Sequence, residues 1–261
     1  MWSKKDRSSQ GSGLLLLPSI KSIPTLTVLL FYAEVASEDF MTVPASSIDL
    51  LWQPGVDEKY FNAARSALER ATAALGISDR LPIVTIGTHA DIEKMVVAAR
   101  MIAVAIGQPE KVHVLVLNLW LSARRWRPQG WSGFPLLVVN ESLTDSAGKW
   151  FFDAVANNCI CATVSTDRFL RNTPFKDPVG VFTTTVMHEL GHVLGTPNYT
   201  RDRAITMTYG AHCTNACIMQ QQEDADNAHE ARVLSRARIT RPYCARCIKD
   251  VQHFLDGYLV T

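Results

Sequence analysis

The sequence predicts a mixed α/β fold: one domain built on a mixed β-sheet, with an active-site helix and a metal-stapled helical segment at the C-terminus. Three observations carry this. Short apolar or β-branched runs alternate with helical patterns between residues 46 and 166, an order that belongs to α/β sheets. A later helix carries H-E-x-x-H, and two short-spaced cysteine pairs follow it.

In order, residues 48–52 form a short apolar strand closed by Pro54-Gly55. Phe61, Ala64, Leu68, Ala71 and Leu75 then recur at helical spacing, and Gly76 ends the run. Residues 82–86 read as a β-branched strand, and 91–106 as a second helix stopped by Gly107. The almost wholly apolar run 112–119 is of strand type, 134–139 is a further strand, and 149–156 reads as part of a helix. Residues 160–166 are a strand just upstream of the H-E-x-x-H helix. Residues 162–166 are placed to run beside a metal cleft and to receive a peptide by strand addition.

Residues 1–45 differ in character and are assigned to an N-terminal extension, leaving 46–261 as the folded domain. Lys4, Lys5 and Arg7 precede four leucines, and a second apolar run covers 23–32. Pro18, Lys21 and Pro24 interrupt the two, so no stable membrane span is expected. A signal peptide cleaved near Val35-Ala36-Ser37 is the alternative to a flexible leader. Lys21 breaks its apolar core, so a cytoplasmic location is favoured over secretion.

Nearly balanced charge, with a net value of +1, gives no electrostatic case for nucleic acid. The basic stretch Arg124-Arg125-Trp126-Arg127 accordingly reads as a solvated loop. Six cysteines in 261 residues are too few for a disulfide scaffold. Cys159 and Cys161 share a strand face and read as small buried hydrophobes. The other four, Cys213, Cys217, Cys244 and Cys247, are spaced as metal ligands.

Residues 186–195 read V-M-H-E-L-G-H-V-L-G. Side chains four apart share a helix face, so His188 and His192 can offer imidazoles to one zinc ion. Glu189, beside the first of them, can act as general base toward a metal-activated water. Asp177-Pro178 starts the helix, and Val179, Phe182, Val186, Leu190 and Val193 form its buried stripe. The histidines lie off that stripe, facing a cleft. Gly195 permits the left-handed exit needed to bring a third ligand to the same metal.

The four grouped cysteines supply soft thiolates for a closed tetrahedral zinc site, which staples the C-terminal helix (248–259) to the segment after the H-E-x-x-H helix. Such a site carries a charge of about −2. Arg241, Arg246 and Lys249 lie near enough in sequence to offset it.

Taken together, these residues resemble the archaemetzincins, zinc peptidases of the metzincin group. Their motif runs H-E-x-x-H-x-x-G-x-x-H-C-x4-C-x-M and then C-x-x-C. His188, Glu189, His192, Gly195, His212, Cys213, Cys217, Met219, Cys244 and Cys247 match its fixed positions in order. Residues 48–69, with Gln53-Pro54-Gly55-Val56-Asp57, resemble the family's opening strand and first helix. The resemblance is specific around 160–250, faint over 46–120 and absent before 46. It implies a metzincin-like domain with two zinc ions per chain. A catalytic zinc is held by His188, His192 and His212, a structural zinc by the four cysteines, and Met219 is the turn methionine beneath the catalytic metal.

The chain departs from the family pattern in one large way. Sixteen residues, 196–211, separate Gly195 from His212, and the family's third-histidine position is held by Asn198. Cys213 and Cys217 are also one residue closer than in the motif. A long surface excursion costs only modest closure entropy, so His212 can still return to the metal. Tyr199, Arg201, Arg203 and Tyr209 in the insertion are expected at the cleft rim. The expected function is a zinc-dependent peptidase acting on peptide or protein substrates as a monomer. Two alternatives stay open: a non-catalytic zinc-binding module of the same fold, and an H-E-x-x-H hydrolase with Glu223 or Asp224 as third ligand.

Overall fold

A parallel core of four strands is the frame on which the rest is hung. The computed structural model describes residues 45–122, 133–145, 150–151, 153–155, 160–171, 175–206, 211–221 and 241–259. All of these fall within one compact unit, Ser37–Thr261. The expected extension before residue 45, the Arg124–Arg127 stretch, Cys159, Tyr209, Glu223 and Asp224 lie outside the described residues.

Strand β1 (Ile48–Trp52) is flanked on both sides by parallel partners, β2 (Ile83–Gly87) and β4 (Phe134–Val139). β4 pairs in parallel with β8 (Ala162–Ser165), and β7 (Asp153–Val155) closes the sheet antiparallel to β8, giving the order β2-β1-β4-β8-β7. Side chains alternate across a strand. Ile48, Leu50, Leu136, Val138, Ala162 and Val164 thus enter a single core with the two helices packed beneath them.

The first of those helices is α1 (Glu58–Leu75). The Asp57 side chain accepts the Lys59 amide at 3.0 Å, and Gly76, at φ 69°, turns the chain out of the helix. A left-handed exit of this kind is open to glycine without steric cost. Tyr60, Ala64, Ala67, Leu68, Ala71 and Leu75 make its buried face, so Tyr60 takes the inward position expected for Phe61. The second helix, which carries H-E-x-x-H, packs against α1. Helix α2 (Ala90–Ala105) follows β2, near the expected bounds.

Two expected elements are overturned. The run 112–119 is not one strand. Val112–His113 forms the two-residue β3, and Val114–Ser122 is a helix, α3. A continuous apolar run has no period to distinguish a buried strand from a buried helix. Tertiary partners decide it: Asn118 accepts from Thr163 Oγ1 at 2.8 Å, and its carbonyl accepts from the Cys161 thiol at 3.3 Å. Cys161 is buried, as a small hydrophobe would be.

The stretch 149–156 is not helical where it is described. Trp150–Phe151 (β6) pairs with β5 (Leu143–Thr144), which also pairs with β3. Asp153–Val155 is β7. Strands of two or three residues are too short to show a period of their own. The placement of β7 also corrects the expectation of strand addition at 162–166: β8 has β4 on one side and β7 on the other, so neither of its edges is open to a peptide. After β8 come a single helical turn, α4 (Asp167–Leu170), and then α5 (Pro178–Val193), the H-E-x-x-H helix. A hairpin of β9 (Ile205–Thr206) and β10 (His212–Cys213) follows, and α6 (Ala245–Leu259) ends the described chain. No helix among the described residues is long and apolar enough to cross a membrane.

Candidate metal centres

Helix α5 is fixed at both ends. Asp177 Oδ1 accepts the Gly180 amide at 2.9 Å, with Pro178 in the first turn. At the other end Gly195 has φ 74°, and any side chain there would meet the ring of Phe254 on α6, 2.8 Å from a Cβ. Val186, Leu190 and Val193 bury one face of α5 against the core. That leaves His188 and His192 on a common face, toward β10.

There the three histidines converge. One ring nitrogen from each of His188, His192 and His212 lies within 4.8 Å of the others. His188 Nε2 and His192 Nε2 are 3.0 Å apart, and the ring centroids are separated by 4.7, 5.3 and 5.0 Å. Tetrahedral zinc–nitrogen bonds of about 2.0–2.1 Å put neighbouring nitrogens about 3.3 Å apart, so the cluster fits a zinc ion. His188 Nδ1 stands 2.8 Å from the Ile218 carbonyl. Donation to that carbonyl fixes the tautomer that leaves Nε2 free for a metal. Burial, followed by the neighbouring His188 and His212, pushes the His192 pKa well below its usual value. The neutral imidazole it favours is the metal-binding form. Glu189 is buried beside the cluster, with Oε1 3.9 Å from His188 Nε2.

Asn198 is engaged elsewhere. Its Oδ1 accepts from the backbone and hydroxyl of Thr200 at 2.9 and 2.8 Å, and its own amide donates to Asp250 at 2.9 Å. The structure therefore brings His212, not Asn198, to the two helix histidines.

Met219 is fully buried under α5, against Gly191. A Cβ at position 191 would run into Met219 Sδ, with Cε only 2.9 Å away. Gly191 was not singled out from the sequence, although a glycine inside a helix is a signal of close approach. The Met219 carbonyl accepts the Cys213 amide at 2.8 Å, which ties this turn to β10.

A second cluster lies on the other side of β10. The sulfurs of Cys213, Cys217, Cys244 and Cys247 all lie within 4.8 Å of one another. Cys213 and Cys244 are 3.8 Å apart, and Cys217 and Cys247 3.7 Å. Zinc–sulfur bonds of about 2.3 Å at tetrahedral angles give about 3.8 Å between sulfurs, whereas a disulfide needs about 2.05 Å. The set fits a four-thiolate zinc site. Hydrogen bonds from Cys217 and Cys247 hold the Cys213 thiol far below its ordinary pKa, and Cys213 in turn pushes Cys217 and Cys247 up. The Cys244 amide donates to Cys217 Sγ at 3.3 Å and Asn215 Nδ2 to Cys244 Sγ at 3.4 Å.

The cation seen at these sulfurs is one that the sequence placed elsewhere. Arg201, expected at the cleft rim, turns inward to Cys213, Cys247 and Asp250. Arg246, expected to offset the thiolate charge, donates to the Arg203 carbonyl at 3.3 Å. Tyr199, in contrast, is well exposed.

The fold and clusters thus define a mixed α/β protein with a histidine triad on an H-E-x-x-H helix and an adjoining four-cysteine cluster. No protein-family profile matches the chain. No curated protein matches it. Among solved structures it is similar to the archaemetzincin of Methanopyrus kandleri, at 17% identity over 83% of this chain and 99% of that one, with a TM-score of 0.49. It is also similar to a zinc-dependent peptidase from Methanocorpusculum labreanum, at 17% identity over 78% of this chain and 100% of that one, TM-score 0.45. The archaemetzincin of Archaeoglobus fulgidus matches at 15% identity over 78% of this chain and 99% of that one, TM-score 0.49.

Proposed function

We propose that this protein is a zinc-dependent peptidase of archaemetzincin type, with a catalytic zinc at His188, His192 and His212 and a structural zinc at Cys213, Cys217, Cys244 and Cys247. The observation that carries the reading is the convergence of three imidazoles within 4.8 Å, with the buried Glu189 carboxylate 3.9 Å from one of them. Three histidines with an adjacent carboxylate are a donor set for catalysis, since the fourth position on the metal is left for water or substrate. The cysteine cluster, with four sulfurs and no such opening, is suited to a structural ion.

Zinc at the histidines supplies Lewis acidity, which lowers the pKa of water toward about 7 and polarises a substrate carbonyl. Glu189 is the general base. Its carboxylate removes a proton from the attacking water and returns it to the departing amine, a two-way transfer that suits a group poised beside the metal. The Ile218 carbonyl orients His188, and Met219 sets the floor of the site against Gly191. The test pairs a metal count with cleavage of a mixed peptide library. Two zinc ions per chain with hydrolysis support the peptidase. Two zinc ions with no hydrolysis of any peptide favour a binding module of the same fold.

A further inference from the structure

We propose that Arg201 is a positioning residue that couples the two metal centres: its guanidinium is the counter-charge of the four-cysteine site and clamps, through Asp250, the segment that delivers His212. The proposal rests on metal occupying both clusters as above. Arg201 Nη1 lies 3.6 Å from Cys213 Sγ and 3.3 Å from the Ala204 carbonyl. Nη2 lies 3.6 Å from Cys247 Sγ and bonds to Asp250 Oδ2. Both partners of that ion pair are largely buried, with side chains 6% and 15% exposed. Removing one partner of a buried pair leaves the other charge uncompensated, which is strongly unfavourable.

Asp250 also accepts from Thr196 Oγ1 at 3.3 Å and from the Asn198 amide at 2.9 Å. Three points of the segment 196–201 are therefore fastened to one carboxylate on α6. The segment 196–204 is a strap across the thiolate site. From Ala204 the chain enters β9, whose Thr206 and Ile205 pair with His212 and Cys213 of β10. Neighbouring side chains on a strand point to opposite faces. His212 joins the histidines and Cys213 the cysteines. Two metal centres thus flank one two-residue strand, and what fixes β9 fixes both.

Metal makes the clamp tight. A four-thiolate zinc site has a net charge of about −2, and its sulfurs stay anionic acceptors for N–H groups. A neutral thiol is a weak acceptor. The planar, permanently charged guanidinium suits a position between sulfur and carboxylate acceptors, and an ammonium lacks that fork. Filling the cysteine site therefore firms the strap and, through β9 and β10, the placement of His212.

The test is cobalt(II) titration of the metal-free full chain against a competing chelator. Sulfur-to-cobalt charge-transfer bands report the cysteine site. A Cys217→Ser/Cys247→Ser reference serves only to assign the visible d–d bands of the histidine site, which are then followed in chains that keep all four cysteines. Arg201→Ala is expected to weaken the cysteine site by about 10–100-fold, as loss of an outer-shell partner does. It is also expected to weaken the histidine site, which Arg201 does not touch. Arg203→Ala, a change at an exposed neighbour, is expected to bind like the wild type. Arg201→Ala with both affinities within about twofold of wild type, or with loss confined to the cysteine site, overturns the proposal. If Arg201→Ala does not fold, Arg201→Lys carries the test: it is expected to weaken both sites, and wild-type binding at both would overturn the clamp. Absence of charge-transfer bands from the wild type would remove the cysteine site and this proposal with it. The peptidase reading stands or falls separately, on Glu189.

Discussion

Met219 lies so closely under Gly191 that a methyl group at that position would have to displace its thioether. Glycine inside a helix costs about 1 kcal/mol relative to alanine, so Gly191→Ala should gain that much from propensity. Met219 is fully buried and cannot swing aside into solvent. Overpacking of this kind costs about 1–3 kcal/mol and should outweigh the gain. Gly191→Ala is expected to lower stability in denaturant unfolding and to weaken metal binding at the histidines. A variant more stable than wild type would show that Met219 gives way freely.

His212 and Asn198 compete for the third-ligand role on paper, and their variants should separate cleanly. His212→Ala is expected to release the catalytic zinc while the thiolate zinc remains. Asn198→Ala removes an acceptor for Thr200, worth about 0.5–1.5 kcal/mol, and should leave the metal count unchanged. The check is zinc per chain after dialysis; the reverse pattern would move the ligand role to Asn198.

Cys244→Ser should remove the structural zinc and destabilise the fold, because metal binding at such a site is coupled to folding. Thermal unfolding with and without chelator is the measurement. Wild type should lose stability on chelation, whereas the variant should change much less. Equal chelator sensitivity in both would mean that the cysteines hold no structural ion.

Thr163→Val tests why the apolar run after β3 is a helix. The hydroxyl of Thr163 donates to Asn118 on α3, and both residues are buried. Its loss should cost about 1–3 kcal/mol, the penalty for stripping a buried acceptor of a partner. Denaturant midpoints check this. A change near zero would mean that the pair does not hold α3 to the sheet.

How much of this was legible in the sequence follows from where the information sits. Helix α5 carries a period and the Asp177-Pro178 start, and α1 a period and the Gly76 stop, so these were readable, whereas the Asp57 cap of α1 was not singled out. Strands β1 and β4 are short apolar runs bounded by turns. The run 112–119 had no period, and the partner that fixes it, Thr163, is 45 residues from Asn118. The strands at 150–155 are too short to announce themselves. At the site, residue type and spacing singled out His188, His192 and the four cysteines, whereas His212 came from the family resemblance, since Asn198 stands at the family's third-histidine spacing. The inward turn of Arg201 was not readable, because a lone arginine in a loop has no pattern to say where it points. Met219 against Gly191 is likewise a contact between distant parts of the chain.

Glu189 is expected to perform acid–base chemistry beside a histidine-bound zinc. The direct measurement is the turnover of Glu189→Gln on a peptide that the wild type cleaves, with zinc counted on the same sample. Glutamine keeps the shape and removes the basic carboxylate. The variant is expected to retain two zinc ions per chain and to lose about 10²–10⁴ in rate, the usual contribution of a positioned general base. Near-normal turnover with zinc in place would contradict the account.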